Sequence, residues 1–306
     1  MSNLIKGDDI NLKELLFILW KSKWIFIGIT FVFAAASVYV SVSLPNVYQS
    51  NVVLYPQKDS SSGGVSGLGG QLGGLASLAG VNLQNNDKTD LAIEILKSRK
   101  FIDQFIVDHD LSVNILAAKE WSKGENKVVI NPDIYDERNK VWLKTFSDIE
   151  SDTPSKQELY KKFRELLNVT RLKEAGLVRI SFEHVSPYVA KEIVDNLVIA
   201  INNVMKEEVI DSSEKSIAFL SAQLSKTDIS NIQSVLYELI EDQAKSRMFA
   251  EVRDEYIFKT IDPAIVPEKK SSPNRALICI IGTFLGALLA FIIVVVSYFV
   301  KNEHKS

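Results

Sequence analysis

Apolar residues gather at two places in the chain. Trp24 to Leu44 runs without a charged residue, and so does Ala276 to Val300. At ~1.5 Å rise per residue, the shorter run makes a helix of roughly 31 Å, the thickness of a bilayer core. The pattern predicts transmembrane helices over 24–44 and 276–300. The first run is longer than the apolar core of a secretory leader and has a polar stretch before it. It therefore predicts an uncleaved anchor. Residues 1–23 and 301–306 are the outer segments. Residues 45–275 form the block between the spans.

Inside that block the period changes several times. VYQSNVVLY (47–55) is rich in β-branched and aromatic types and predicts a strand leaving the membrane. The glycine-rich stretch 60–80 predicts a loop, with Leu68, Leu72, Leu75 and Leu78 recurring through it. Lys88 to His109 predicts one helix, with Leu91, Ile95, Ile102, Phe105 and Ile106 near helical spacing. Asp90 and Glu94 stand toward its start and Lys97, Arg99 and Lys100 follow, the charge order a helix dipole favours. A short strand is predicted over 128–131, and a helix over Ser155 to Leu167. Residues 169–184 predict a hairpin turning near Glu174-Ala175-Gly176. There Val178, Ile180 and Phe182 pack while Arg179, Ser181 and Glu183 face water.

From Pro187 to Ser225 there is no glycine and no further proline. Val189, Ile193, Leu197, Ile201, Val204, Ile217, Leu220 and Leu224 recur mostly at steps of three or four. Ser186 and Pro187 suit a helix start. The predicted helix is longer than a compact core is wide. Thr227-Asp228 marks a break, and a second helix is predicted from about Ile229 to Arg253. YIFKTI (256–261) predicts a strand returning to the membrane. The predicted fold is an α+β domain whose first and last strands pair in one sheet. A long helical hairpin arm, about 186–253, projects from it, and two transmembrane helices flank the domain. An arm with one amphipathic stripe has little of its own to bury against, so self-association is its natural outlet.

Charge sets the orientation. Lys13, Lys21 and Lys23 precede the first span, Lys301 and Lys305 follow the second, and Pro45 to Gln57 has no Lys or Arg. By the positive-inside rule both termini are cytoplasmic and 45–275 lies on the other side. That block holds five more acids than bases, which gives no electrostatic ground for binding nucleic acid. The only cysteine, Cys279, lies within the second apolar run, so the domain has neither a disulfide nor a thiolate metal site.

Catalytic patterns are missing. No glycine precedes a Lys-Ser or Lys-Thr pair as a phosphate loop requires, and Gly67-x-Gly69 is followed by Leu72 where a dinucleotide turn needs glycine. His109, His184 and His304 have no His or Cys partner at ligand spacing. Asp133, Asp136 and Glu137 beside Pro132 read as solvated loop acids. Asn168-Val169-Thr170 matches the glycosylation sequon, a pattern short enough to arise by chance. The sequence predicts no enzyme, cofactor or metal. In the second span Gly282 and Gly286 form a GxxxG, which puts two glycines on one helix face where another helix can approach closely.

The segment 262–276, DPAIVPEKKSSPNRA, gathers Pro263, Pro267 and Pro273 with Lys269, Lys270 and Arg275. Prolines there keep the second span from extending upward and hold the segment extended. The cations suit lipid headgroups. The order Ile261-Asp262-Pro263-Ala264, Pro267, Lys269-Lys270, Ser272-Pro273 resembles the proline-rich segment before the second span of polysaccharide co-polymerases. More narrowly, it resembles that of Wzz-type chain length determinants of lipopolysaccharide O-antigen. Asp9-Ile10-Asn11-Leu12 through Leu19-Trp20-Lys21 is similar to the family's N-terminal segment, and Glu94 to Arg99 to the start of its first base-domain helix.

The resemblance implies an inner-membrane protein with a periplasmic α/β base and helical arm. It implies a ring-shaped homo-oligomer, often an octamer, without catalytic activity. Its partners would be a Wzy-type polymerase, the lipid-linked glycan and membrane lipids. Two other readings stand beside it. One is a co-polymerase for capsule or exopolysaccharide export; the six residues after the second span leave no room for a fused kinase, so its kinase would be separately encoded. The other is a periplasmic sensor, or an adaptor of an efflux or secretion system. The first lacks room for an output domain among 23 leading residues, and the second lacks lipoyl-like repeats.

Overall fold

The computed structural model describes residue 20 and residues 22–57, 86–143, 153–172 and 176–303. The elements in chain order are α1 (Lys23–Ser43), β1 (Tyr48–Pro56), α2 (Asn86–Lys97), α3 (Arg99–Asp108), α4 (Ser112–Leu116), β2 (Ala118–Ser122), β3 (Lys127–Ile130), β4 (Tyr135–Asp136) and β5 (Val141–Trp142). Then follow α5 (Lys156–Leu166), β6 (Leu167–Leu172), β7 (Leu177–His184), α6 (Pro187–Leu224), α7 (Ser230–Val252), β8 (Phe258–Asp262) and α8 (Arg275–Glu303). The chain divides into two compact units, Val47–Lys270 and the joined pair Met1–Asn46 with Ser271–Ser306. The glycine-rich stretch 60–80, the approach 9–19 and the hairpin tip 173–175 lie outside the described residues.

In the 47–270 unit an antiparallel sheet runs in the order β6-β7-β1-β8. The first and last strands are thus neighbours, with Tyr55 opposite Lys259 and a register shift between Val53 and Leu54. Val52 faces Ile180 and Leu54 faces Val178 across β1 and β7. These four join Phe182, Val169 and Leu167 in one buried cluster. Apolar side chains at alternate positions must share a face of the sheet, and that face is the core.

The opposite face of β7 is not uniformly wet. Arg179 is exposed, but Ser181 is buried, where the sequence predicts solvent. Its hydroxyl donates to the Asn168 carbonyl at 3.3 Å, so a small polar side chain is satisfied on a central strand.

The helix predicted over 88–109 is two helices. Ser98 is extended (φ −70°, ψ 148°) and its hydroxyl accepts the Phe101 N–H. A serine that caps a new helix ends the previous one. Both pieces deliver apolar rows to the core, among them Leu96, Ile102 and Phe105. Ser155 opens α5 with a full capping box to Glu158.

Helix α6 has 38 residues, which at ~1.5 Å each is roughly 57 Å. Ser186 caps it and Pro187 opens it. Its first half is buried, with Ile193, Val194, Leu197, Val198, Ile201 and Met205 in the core. Val204, one of the positions in the predicted apolar row, is 36% exposed, because the row that packs passes through Val198 and Met205. Beyond Met205 only Ser213 is buried, and α7 returns antiparallel along this second half. Arg247 meets Glu214 at 3.1 Å and Lys206 donates to the Glu251 carbonyl.

The returning strand starts two residues later than predicted, at Phe258. The cause is Asn202, which is buried in α6. Its Oδ1 accepts the N–H groups of Ile257 and Phe258 at 2.9 and 3.1 Å. Its Nδ2 donates to the Val198 and Phe258 carbonyls. One side chain takes the place of a strand partner for the chain entering β8.

Candidate functional site: the return segment and the paired apolar helices

Three stretches carry the sequence-predicted site residues. The first, 263–270, belongs to the 47–270 unit. Pro263 has no N–H to extend the ladder, and β8 ends at Asp262. Ala264 then turns into the core at 5% exposure, and Ser50 on β1 donates to the Ile265 carbonyl at 3.0 Å. Two contacts therefore hold the segment along β1. Pro267 is half-buried, whereas Lys269 and Lys270 are exposed and make no ion pair with a described residue. The backbone is pinned while the ammonium groups stay in solvent.

The second stretch opens α8, in the other unit. Pro273 is half-buried. Asn274 caps the helix through its side chain to the Leu277 N–H at 3.3 Å. Arg275 donates from a terminal guanidinium nitrogen to Asn46 Oδ1 at 3.2 Å, while its Nε is buried without a partner. Asn46 follows α1, so this bond links the start of one apolar helix to the end of the other.

The third stretch is the glycine face of α8. A Cβ built on Gly282 would lie 2.4 Å from Ser37 Cβ, and one on Gly286 would lie 2.5 Å from Phe33 Cβ. The partner of the GxxxG face is thus α1 of the same chain. As α8 advances from 282 to 286, α1 retreats from 37 to 33, so the two helices pack antiparallel. Both present rows of period four: Phe33, Ser37 and Ser41 on α1; Gly282, Gly286, Ala290 and Val294 on α8. Ser37, Ser41, Ala290 and Val294 are all buried. Small residues let the backbones close in. Both helices are long and apolar enough to cross a membrane. The Ser37 hydroxyl donates to the Ala34 carbonyl at 2.8 Å and Thr283 to the Cys279 carbonyl at 2.7 Å, so these hydroxyls are satisfied within their own helices.

Elsewhere three polar side chains the sequence singles out have structural partners. Asp136 ends β4, and the Asn139 side-chain amide, then the Asn139 and Arg138 N–H groups, hold its carboxyl below the ordinary range. It closes a turn. His184 is buried at the end of β7. Its Nδ1 accepts the Ser186 N–H at 3.0 Å, which leaves Nε2 to donate to the Asn114 carbonyl at 2.9 Å. Burial pushes its pKa below the ordinary value; the bond accepted at Nδ1 also suits the neutral ring, while donation to the Asn114 carbonyl opposes the shift. His109 caps α3 with its ring 4.5 Å from that of Phe105. Among the described residues no group of three or more His, Cys, Asp or Glu could hold a metal ion. A cavity of about 650 Å³ lies beside β8, lined by Val52, Asn202, Asp254, Glu255 and Thr260 among others. The Glu255 carboxylate there already accepts the Thr260 N–H at 3.0 Å.

Residues 8–109 match the family model described as Wzz, chain length determinant protein. The resemblance to Wzz-type proteins holds over that part of the chain. The Wzz-like span runs from the approach to α1 through β1 and ends with α3, at His109. The return segment and the arm lie beyond it. No curated protein sequence matches the chain. Among the solved structures similar to the chain are two with low scores. One is a full-length bacterial polysaccharide co-polymerase, 13% identical with a TM-score of 0.39, the match covering 95% of this chain and 99% of that one. The other is a fragment of WzzB, a polysaccharide co-polymerase from Salmonella Typhimurium, 11% identical with a TM-score of 0.28, covering 74% and 100%. At these scores neither carries weight for the fold or function of this chain.

Sequence patterning missed three of these positions. Asn202 interrupts an apolar row between Ile201 and Met205, which was the available signal. Ser37 and Ser41 are small residues four apart in an otherwise bulky run. That spacing marks a packing face but does not name its partner.

Proposed function

We propose that this protein regulates the chain length of a polysaccharide, lipopolysaccharide O-antigen, as an oligomeric scaffold on a Wzy-type polymerase and its lipid-linked glycan. The observation that carries this reading is the match of residues 8–109 to the chain length determinant family. Two apolar helices bracketing residues 47–270 support it. In this reading both termini are cytoplasmic and 45–275 is periplasmic, at the inner membrane. The positive-inside distribution of lysines around the two helices supports that orientation.

The contribution of the protein is geometric. The polymerase performs the chemistry, and a ring-shaped homo-oligomer fixes how long the growing glycan is held beside it. The return segment has a mechanical role. With its backbone fixed to β1 and Lys269 and Lys270 free, it holds the folded domain to anionic headgroups, and Arg275 joins the two helix ends. The Gly282 and Gly286 face keeps the two spans as one unit.

Deletion of the gene followed by gel analysis of the lipopolysaccharide tests the reading. Loss of the modal length, restored by the wild-type gene, is expected. An unchanged ladder refutes O-antigen regulation. An unchanged ladder with altered capsule or exopolysaccharide transfers the role to that class of polymer.

A further inference from the structure

One end of the 47–270 unit carries three aromatic side chains in a row. Tyr48 opens β1 and pairs with His184 at the end of β7. Tyr188 stands in the first turn of α6. Trp121, on β2, lies between them. Its ring is 5.6 Å from that of Tyr48, nearly perpendicular to it, and 6.0 Å from that of Tyr188. Tyr188 is 48% exposed, while Tyr48 and Trp121 are half-buried. Trp121 Nε1 donates to Asn126 Oδ1 at 3.0 Å, within the β2–β3 hairpin. The indole thus has its one polar group satisfied without water.

The covalent chain fixes which end of the unit this is. Tyr48 comes four residues after Leu44, the residue that caps α1. At no more than about 3.5 Å per residue, it lies within about 14 Å of the end of that helix. The chain leaves for α8 from the same end. β8 runs antiparallel to β1, and by Ile265 the chain has reached Ser50, two residues from Tyr48. Both connections to the apolar helices therefore start beside the aromatic row.

We propose that Trp121 and Tyr188, with Tyr48 beside them, enter the headgroup layer of the membrane, so that the β2–β3 hairpin is a lipid foothold separate from the spans and the return segment. The proposal rests on reading α1 and α8 as spans, and it goes beyond chain-length regulation. Trp and Tyr are the residues that settle at a membrane–water interface, with the ring in the apolar boundary and the polar tip satisfied. Charge does not carry the contact. The hairpin 118–130 sets Lys119, Lys123 and Lys127 against Glu120 and Glu125, a net of one positive charge. Ring surface carries it, which makes it insensitive to salt, unlike a contact through Lys269 and Lys270.

The test uses the full-length protein reconstituted into phosphatidylcholine vesicles. Trp20→Phe, Trp24→Phe and Trp142→Phe together leave Trp121 as the one tryptophan. A second variant, with Trp20→Phe, Trp121→Phe and Trp142→Phe, leaves Trp24 in α1. Each is read with and without phosphatidylcholine brominated in the upper acyl chain, which quenches indole fluorescence on contact. At least twofold quenching is expected for both tryptophans, and for Trp121 it should be equal at low and high salt. If Trp24 is quenched and Trp121 is not, the spans stand and the aromatic foothold is overturned. If neither is quenched, the two-span reading fails, and the proposal with it. Quenching of Trp121 that disappears at high salt assigns the contact to the lysines and overturns insertion of the rings. Should either variant lose its helical circular dichroism, a spin label on Tyr188→Cys in a Cys279→Ser background decides. Stronger relaxation of the label by oxygen, which concentrates in lipid, is expected, and stronger relaxation by an aqueous nickel chelate overturns the proposal.

Discussion

Gly282 on α8 lies against Ser37 on α1 so closely that a methyl group on the glycine would sit 2.4 Å from Ser37 Cβ. Both atoms are close to backbone, so relief requires the helices to part. Gly286 and Phe33 repeat the relation one turn on at 2.5 Å. Overpacking a fitted interface typically costs about 1–3 kcal/mol. Gly286→Leu is expected to loosen the α1–α8 pair by at least that much while the 47–270 unit keeps its fold. Disulfide trapping between cysteines placed at facing positions of α1 and α8 measures the pairing, and limited proteolysis reports on the folded domain. Trapping as efficient as in the parent protein would show that the glycines are not needed for the approach.

Asn202 holds three backbone groups at the entrance to β8 and the Val198 carbonyl of its own helix. Replacing it with leucine removes all four bonds and buries the Ile257 and Phe258 N–H groups unpaired. A buried unsatisfied group costs about 1–3 kcal/mol. Asn202→Leu is expected to lower stability by about 2–4 kcal/mol, seen as an earlier denaturation midpoint by circular dichroism in micelles. Hydrogen exchange should quicken first at 256–260. Asn202→Asp keeps an acceptor for the two N–H groups but turns a second oxygen toward the buried Val198 and Phe258 carbonyls, so it should not recover the loss.

These two positions show what the sequence could reveal. The two long apolar helices, the Ser186–Pro187 start of α6 and the returning strand are legible, because length, capping and period are local properties. The break at Ser98 is not, because apolar spacing continues across it and only the backbone angles show that the serine caps a new helix. Alternation puts Ser181 toward water because it says nothing of how a central strand is covered. Asn202 is visible as a polar residue in an apolar row, but its partners at Ile257 and Phe258 lie more than fifty residues away. For the glycine face the motif was legible and its partner was not: a GxxxG states that something comes close, and only tertiary geometry identifies Phe33 and Ser37.

His184 gives the domain a pH dependence with a defined sign. The folded protein holds it neutral: burial lowers its pKa from 6.5, and Nδ1 is occupied as an acceptor of the Ser186 N–H. The unfolded chain binds a proton near the ordinary value, so below about pH 6.5 it holds more protons than the folded state. Stability should therefore be full above that value and fall as the pH drops beneath it. The melting temperature is expected to decline from pH 7.5 to pH 5. His184→Gln, which keeps a donor for the Asn114 carbonyl, should flatten the part of the slope due to this group. A variant with the wild-type slope would assign the dependence to other groups.

Lys269 and Lys270 remain free although the backbone leading to them is fixed by Ala264 and by the Ser50–Ile265 bond. Fixed backbone with free ammonium groups suits a surface of fixed height and negative charge, since little further order is lost on contact. Each lysine near an anionic leaflet contributes about 1 kcal/mol. In nanodiscs, hydrogen exchange over 265–271 should be slower with anionic lipid than with zwitterionic lipid alone, and raising the salt should shrink the difference. Lys269→Glu with Lys270→Glu should abolish it without altering exchange in β1 or α6. Equal exchange on both lipids in the parent protein would remove the headgroup role and leave the prolines as the working part of the segment, ending the ladder at Asp262 and keeping the chain extended up to α8.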